Sequence, residues 1–158
     1  MLLKFEMDFS YEVFKAGWAR VTFRLDNDIF VAEISYLHDS LRNLAQAALN
    51  LAEGVSEQRV VFMDEPGEHQ LRFKRISDES YEVQLLWFVD WESWGIHSPN
   101  DFELIFRTKT SPDAFAKKVH DEMSGILNAL GMDTYKKRWH EHDFPVDLLN
   151  ALNLLFRR

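Results

Sequence analysis

The chain has 158 residues, which suits one domain of ordinary size. It is 46% hydrophobic and 14% aromatic, so it can build a substantial core, and this argues against a disordered chain. The net charge of −8 argues against nucleic acid as a direct ligand, because phosphate contacts need a basic surface. The same charge permits a basic partner protein.

The absence of cysteine excludes disulfides, zinc–thiolate sites, iron–sulfur clusters and a cysteine nucleophile. It suits a reducing compartment, and we expect a cytoplasmic protein. Glu6, Asp8 and Glu12 interrupt the first residues, so these do not form the apolar region of a signal peptide. No apolar run approaches the roughly 20 residues that a membrane span needs, and we expect no membrane partner.

Alternating apolar and polar residues predict three strands before residue 39. Phe5, Met7 and Phe9 indicate a short first strand. Trp18 to Leu25 and Ile29 to Tyr36 indicate the second and third. The polar residues between these two tolerate the tight turn of a hairpin.

The stretch from Asp39 to Glu53 predicts a helix that packs across the sheet. At about 100° per residue, one face of this helix is apolar. It carries Leu41, Leu44, Ala45, Ala48, Leu51 and Ala52. Asp39 is the natural N-cap, and Gly54 stands where a left-handed C-terminal cap is favoured.

Four further strands are predicted after this helix. They are Arg59 to Met63, Leu71 to Arg75, Tyr81 to Trp91 and Phe102 to Thr108. The clearest turn in the chain is Glu65-Pro66-Gly67-Glu68. Proline pre-sets the first central position of a type II turn, and glycine supplies the positive φ of the second.

Helix signals dominate the C-terminal part. Ser111-Pro112-Asp113 predicts the start of a helix that ends at Gly131. Asp133 is the predicted cap of a short helix that continues to about His142. Pro145 is predicted to begin a final helix. We therefore expect residues 1–158 to form a single α+β domain. It would contain a mostly antiparallel sheet of five to seven strands, one helix inserted between strands, and C-terminal helices.

One strand is followed by the segment YLHDSLRNLAQAALNLAEG, a second strand, the segment DEPGE and a third strand. This order resembles that of a widespread group of small bacterial proteins without an assigned activity. The resemblance covers roughly residues 29 to 90 and is carried by Leu41, Leu44, Ala47, Ala48, Glu65, Pro66 and Gly67. Many such small acidic proteins are similar to the immunity proteins encoded beside polymorphic bacterial toxins. The resemblance implies no catalytic residues.

The segment between Arg75 and Arg107 contains no lysine or arginine. Its acids are Asp78, Glu79, Glu82, Asp90, Glu92, Asp101 and Glu103, and it also holds Trp87, Trp91 and Trp94. Acids speed the encounter with a basic protein, and aromatic side chains provide anchors. The segment therefore predicts an acidic, aromatic-rimmed docking surface.

The contact residues predicted for this surface are Asp90, Trp91, Glu92, Trp94, Asp101 and Glu103. The alternative interpretation is a solvated strand face with its tryptophans in the core. Trp94 lies in a loop flanked by Gly95 and Pro99, so it is the tryptophan that a core explains least easily.

Two groups of residues have the chemistry of a site. His140-Glu141-His142-Asp143 contains metal ligands, but on a helix His140 and His142 point about 200° apart. Asp64-Glu65 and Glu68-His69 flank the Pro-Gly turn and have acid–base chemistry. For both groups, solvated polar residues are the simpler interpretation, and we expect no metal, no cofactor and no catalytic residue.

The function expected from these features is that of a non-enzymatic immunity protein. It would neutralise a bacterial toxin by occluding the toxin's basic active surface. Two alternatives stay open: a small hydrolase that uses histidine and carboxylates, and an oligomeric structural module that associates through its C-terminal helix.

Overall fold

A computed structural model describes residues 7–157. The strands are β1 (Asp8–Val13), β2 (Trp18–Leu25), β3 (Asp28–Ser35), β4 (Glu57–Met63), β5 (Glu68–Ser77), β6 (Ser80–Phe88) and β7 (Glu103–Thr110). The α-helices are α1 (Ser40–Ala52), α2 (Pro112–Arg138) and α3 (Val146–Leu155), and a 3-10 helix spans Glu92–Trp94. The α+β class is as predicted. Phe5, placed in the predicted first strand, lies outside the described residues.

The strands form two antiparallel sheets, and the prediction of a single sheet was wrong. β1, β2 and β3 form one sheet, and β4 to β7 form the other, each in chain order. Alternation along a strand specifies which face is buried but not which edge is paired, so the sequence does not distinguish one sheet from two. The prediction of one helix between strands was also inexact, because the 3-10 helix lies between β6 and β7.

Helix α1 packs against β4, α2 and α3. Asp39 caps it as predicted, since its carboxylate accepts a hydrogen bond from the Arg42 amide at 3.5 Å. The buried side chains are those of Ser40, Leu41, Leu44, Ala45, Ala47, Ala48 and Leu51. Ala52 was predicted on the buried face but is exposed, because it stands in the last turn and lines an open groove.

Aromatic side chains join both sheets and α2 in one hydrophobic core. The Phe23 ring of β2 lies 6.1 Å from that of Phe62 on β4 and 5.4 Å from that of Phe106 on β7. Phe115 of α2 lies 4.8 Å from Phe73 of β5. Edge-to-face and tilted contacts at these separations are the arrangements that aromatic rings prefer.

The face of the β4–β7 sheet that points away from this core carries a second, smaller apolar layer. Its buried side chains are Val61, Met63, Leu86 and Phe88. Strand β6 was predicted to reach Trp91, but it ends at Phe88. The chain then leaves the sheet, and the rings of His97 and Phe102 in the following loop pack against Phe88 of this layer. We call residues 89–102 the crossing loop.

The C-terminal helices follow the predicted signals in part. The Ser111 hydroxyl accepts a hydrogen bond from the Ala114 amide at 3.1 Å, and Pro112 is the first residue of α2. The φ angle of Gly131 is 73°, so the helix is interrupted at the residue where it was predicted to end. Helical structure then resumes and ends at Arg138. It does not reach His142, because His140 and Glu141 adopt positive φ values of 54° and 74°.

None of the α-helices within residues 7–157 has both the length and the hydropathy of a membrane-spanning helix.

Candidate functional site

The crossing loop is attached to the sheet by a buried carboxylate. Glu68, at the start of β5, is fully buried. It accepts hydrogen bonds from the Ser93 hydroxyl at 2.8 Å, the Ser93 amide at 3.2 Å and the Gln70 side-chain amide at 2.7 Å. A buried carboxylate is costly unless it is hydrogen-bonded, so these donors make Ser93 a fixed point of the loop.

Three further contacts hold the two residues just before Ser93. Glu92 accepts from Gln70 at 2.6 Å and pairs with Arg59 of β4 at 3.0 Å. The Trp91 indole N–H donates to the Asp64 carbonyl oxygen in the β4–β5 turn at 2.8 Å. The loop backbone is therefore positioned by β4, β5 and the turn between them.

This attachment leaves large apolar side chains in solvent. Trp94 is 51% exposed, and its ring packs edge-to-face on Trp91 with centroids 4.9 Å apart. Ile96, Phe102 and Leu104 are also exposed. We call Trp94, Ile96, Phe102 and Leu104 the loop surface. These four side chains lie within eleven residues of the chain, and exposed apolar side chains that form one contiguous patch are typical of protein-recognition surfaces.

The structure places the other predicted contact residues in different environments. Asp101 and Glu103 are exposed, and Asp101 lies 3.4 Å from the His97 ring. Asp90 is half-buried and accepts from the Trp91 amide at 2.8 Å. Only 13% of the Glu92 side chain is exposed, because Arg59 and Gln70 already use its carboxylate.

Basic residues from outside the segment, or at its ends, neutralise part of its acidity. Asp78 pairs with Arg75, Glu82 lies 3.8 Å from Arg107, and Glu92 pairs with Arg59. A segment that is purely acidic along the chain is therefore mixed in charge in the folded protein. The Glu82–Arg107 and Glu92–Arg59 pairs were not visible in the sequence, because they join residues that are distant in the chain.

The structure adds acids that were not predicted as contacts. Asp64 and Glu65 stand in the β4–β5 turn, where Trp91 is attached. Burial raises the pKa of Asp64, and the nearby carboxylates of Glu33 and Glu65 raise it further. The DEPGE sequence located this turn but did not indicate that the crossing loop would lie beside it.

The Glu68-His69 pair does not form an acid–base site. Neighbouring residues on a strand point to opposite faces, and Glu68 faces the crossing loop. The His69 ring packs against Trp87 with centroids 4.7 Å apart. Burial lowers the pKa of His69 to about 4, so its imidazole is neutral at pH 7.

The histidines of the His140–Asp143 segment have separate surroundings. His142 Nε2 lies 2.7 Å from the Tyr36 carbonyl oxygen, and its Nδ1 lies 3.8 Å from Asp39. The His140 ring packs on the Tyr36 ring at 4.1 Å. Within residues 7–157, no three His, Cys, Asp or Glu side chains are grouped so as to hold a metal ion.

In comparisons with known proteins, no family model, no curated protein and no solved structure matches this chain. The resemblance to immunity proteins stays a prediction that rests on the residues quoted for it. The function of the crossing loop has to follow from its geometry, which is a fixed backbone that holds large apolar side chains in solvent.

Proposed function

We propose that this chain is a non-enzymatic binding protein that docks a basic partner protein through the loop surface. More specifically, we propose an immunity protein whose partner is a bacterial toxin domain. The bound chain would occlude the basic active surface of that toxin.

The observation that carries the proposal is the state of Trp94. Its side chain is half exposed, although hydrogen bonds of the neighbouring Ser93 to the buried Glu68 fix the backbone beside it. Tryptophan is among the residues most enriched at the energetic centres of protein interfaces. A side chain already held in position loses less conformational freedom on binding, which favours affinity.

Charge around the loop surface supports a basic partner. Asp101 and Glu103 flank Phe102 and are exposed, and Glu65 is exposed in the turn that holds Trp91. Exposed acids at the edge of an interface mainly accelerate association with a positively charged protein. This arrangement retains Trp94, Asp101 and Glu103 as contacts and assigns Glu92 to the attachment of the loop.

The direct experiment compares Trp94→Ala with the parent chain for toxin binding and for protection of cells that express the toxin. Truncation of a central aromatic anchor costs about 2 kcal/mol or more, which corresponds to about 30-fold weaker binding. Ile29→Ala is the matched control, since Ile29 is 64% exposed on β3, in the other sheet. Binding by Trp94→Ala equal to that of the parent, with both variants folded, would exclude the loop surface.

The acidic residues are tested by Glu103→Lys. We expect a slower association rate whose difference from the parent shrinks at high salt, because exposed charges are screened within about 8 Å at physiological ionic strength. Glu92→Lys is unsuitable for this test because it breaks the contacts of Glu92 with Arg59 and Gln70. An association rate that is unchanged at low salt would refute the assignment of a basic partner.

A second candidate is an oligomeric module that associates through α3. The exposed side chains of Leu154 and Phe156 on and after this helix favour it. Light scattering at two protein concentrations separates the candidates, because self-association through α3 raises the mass with concentration and is reduced by Leu154→Ala.

A further inference from the structure

The outer face of the β4–β7 sheet carries a row of arginines beside the crossing loop. The strand registers pair Arg59 with Arg72, Arg72 with Gln84, and Gln84 with Arg107. These residues therefore lie side by side across all four strands. We call them the arginine row. A groove of about 520 Å³ is lined by Arg59, Arg72 and Gln84, among others.

Arg72, near the middle of this row, is held in place by its neighbours. Its Nε and Nη2 donate to the Gln70 side-chain oxygen at 3.0 and 2.9 Å. Its guanidinium carbon lies 5.7 Å from the centre of the Phe88 ring, which is the geometry of a cation–π contact. These contacts use neutral groups, so they position the guanidinium without cancelling its charge.

The positive charge of this face is only partly neutralised. Arg59 pairs with Glu92 at 3.0 Å, whereas Arg107 lies 3.8 Å from Glu82 and its side chain is 61% exposed. Among the ion pairs of residues 7–157, none includes Arg72 or Lys74. The next row across the sheet is Glu57, Lys74, Glu82 and Lys109. This face is thus basic on a chain whose net charge is −8.

From this charge and spacing we infer that the arginine row binds an extended acidic segment of a partner protein, through carboxylates on alternate residues. The planar guanidinium fork matches a carboxylate in shape and charge. Neighbouring strands are about 4.8 Å apart, so the row spans about 15 Å. Carboxylates on alternate residues of an extended peptide lie about 7 Å apart, so three of them span nearly the same distance.

The acids beside the row favour a peptide over a nucleic acid. Glu57 and Glu82 alternate with the lysines of the next row, and they would repel the continuous negative charge of a phosphate backbone. A peptide avoids this repulsion because uncharged residues separate its carboxylates. This inference goes beyond the loop surface, since it requires neither Trp94 nor a toxin.

The test measures binding of a synthetic peptide with the core Glu-Ser-Glu-Ser-Glu, using a fluorescent label and anisotropy at low salt. The same peptide with glutamine in place of glutamate is the ligand control. We expect the glutamate peptide alone to bind, and Arg107→Gln to weaken binding about threefold, as for one exposed ion pair. Arg24→Gln is the matched control, because Arg24 is 45% exposed on the other sheet and lies 3.9 Å from Asp8.

Several outcomes would overturn the inference. One is binding of the glutamine peptide as tightly as the glutamate peptide, and another is no binding of either. An equal loss of peptide affinity in Arg107→Gln and Arg24→Gln would show that only the net charge of the protein affects binding. A single-stranded RNA that binds more tightly than the glutamate peptide, and binds Arg107→Gln more weakly than the parent, would show that the arginine row binds phosphate instead. Trp94→Ala should leave peptide binding unchanged. A failure of the peptide test would therefore leave the loop surface unaffected, and a failure of the Trp94 test would leave the arginine row unaffected.

Discussion

The crossing loop and the segment from Trp139 to Asp143 have similar compositions but opposite uses of their side chains. Both contain tryptophan, histidine and acids. In the crossing loop, the polar groups of Glu92 and Ser93 are used by the sheet, and the Trp94 ring remains in solvent. In the C-terminal segment the indole is fully buried, and His142 contacts the Tyr36 carbonyl oxygen.

The difference shows how to choose among candidate binding residues. A side chain that packs in the core, or that is largely buried where it holds another segment, stabilises the fold and is not free for a partner. Trp139 and Glu92 are of this kind, and Trp94 is not.

Trp139→Ala should destabilise the protein by about 3–5 kcal/mol, because it removes a fully buried aromatic side chain. Trp94→Ala should cost no more than about 1 kcal/mol, since the ring is half in solvent. Urea unfolding of both variants measures the two values. Similar losses in the two variants would mean that Trp94 belongs to the core, and the comparison would fail.

His69→Phe should remove a pH dependence of stability. The folded-state pKa of His69 is about 4, below its ordinary value of 6.5, so between these values the unfolded chain binds more protons. The neutral imidazole therefore contributes fully to the free energy of unfolding above pH 6.5. As the pH falls from 6.5 towards 4, the free energy of unfolding decreases by about 3 kcal/mol. Urea unfolding at pH 7, 5.5 and 4 should show a smaller decline for the variant than for the parent. Parallel declines would contradict a buried, neutral imidazole.

Glu68→Ala should release the crossing loop. The substitution leaves the Ser93 amide and hydroxyl without their acceptor and removes one of the two hydrogen bonds of the Gln70 side-chain amide, at a cost of about 2 kcal/mol. Hydrogen exchange of the Ser93 amide should accelerate more than that of the β2 amides. Glu65→Ala is the control, because Glu65 is exposed in the adjacent turn. Unchanged exchange at Ser93 would show that the loop is held by other contacts.

His142→Ala should cost about 1 kcal/mol through loss of one hydrogen bond to the Tyr36 carbonyl oxygen. His140→Asn is its control, because asparagine tolerates the positive φ at this position. Thermal unfolding of both variants, with and without added zinc, gives the comparison. A zinc-dependent stabilisation of the parent that either variant abolishes would contradict a purely structural role for these histidines.

Sequence patterns predicted the local elements better than their assembly. The periodicity of residues 39–53, with Asp39 and Gly54 at its ends, correctly located α1, because caps and periodicity are local properties. The exposed position of Trp94 agrees with its Gly/Pro-flanked loop. The Arg59–Glu92 pair and the arginine row both join residues that are distant in sequence, so no local pattern indicated them. The pair depends on the path of the crossing loop, and the row depends on strand register.

Our claim that Trp94 contacts a basic protein can be tested by site-specific crosslinking. A benzophenone-bearing residue in place of Trp94, and in a second variant in place of Arg24, would be activated by light in the cells that make this protein. We predict that position 94 crosslinks to one basic protein and that position 24 does not. Crosslinking at position 94 that matches position 24, or that yields only copies of this chain, would contradict the claim.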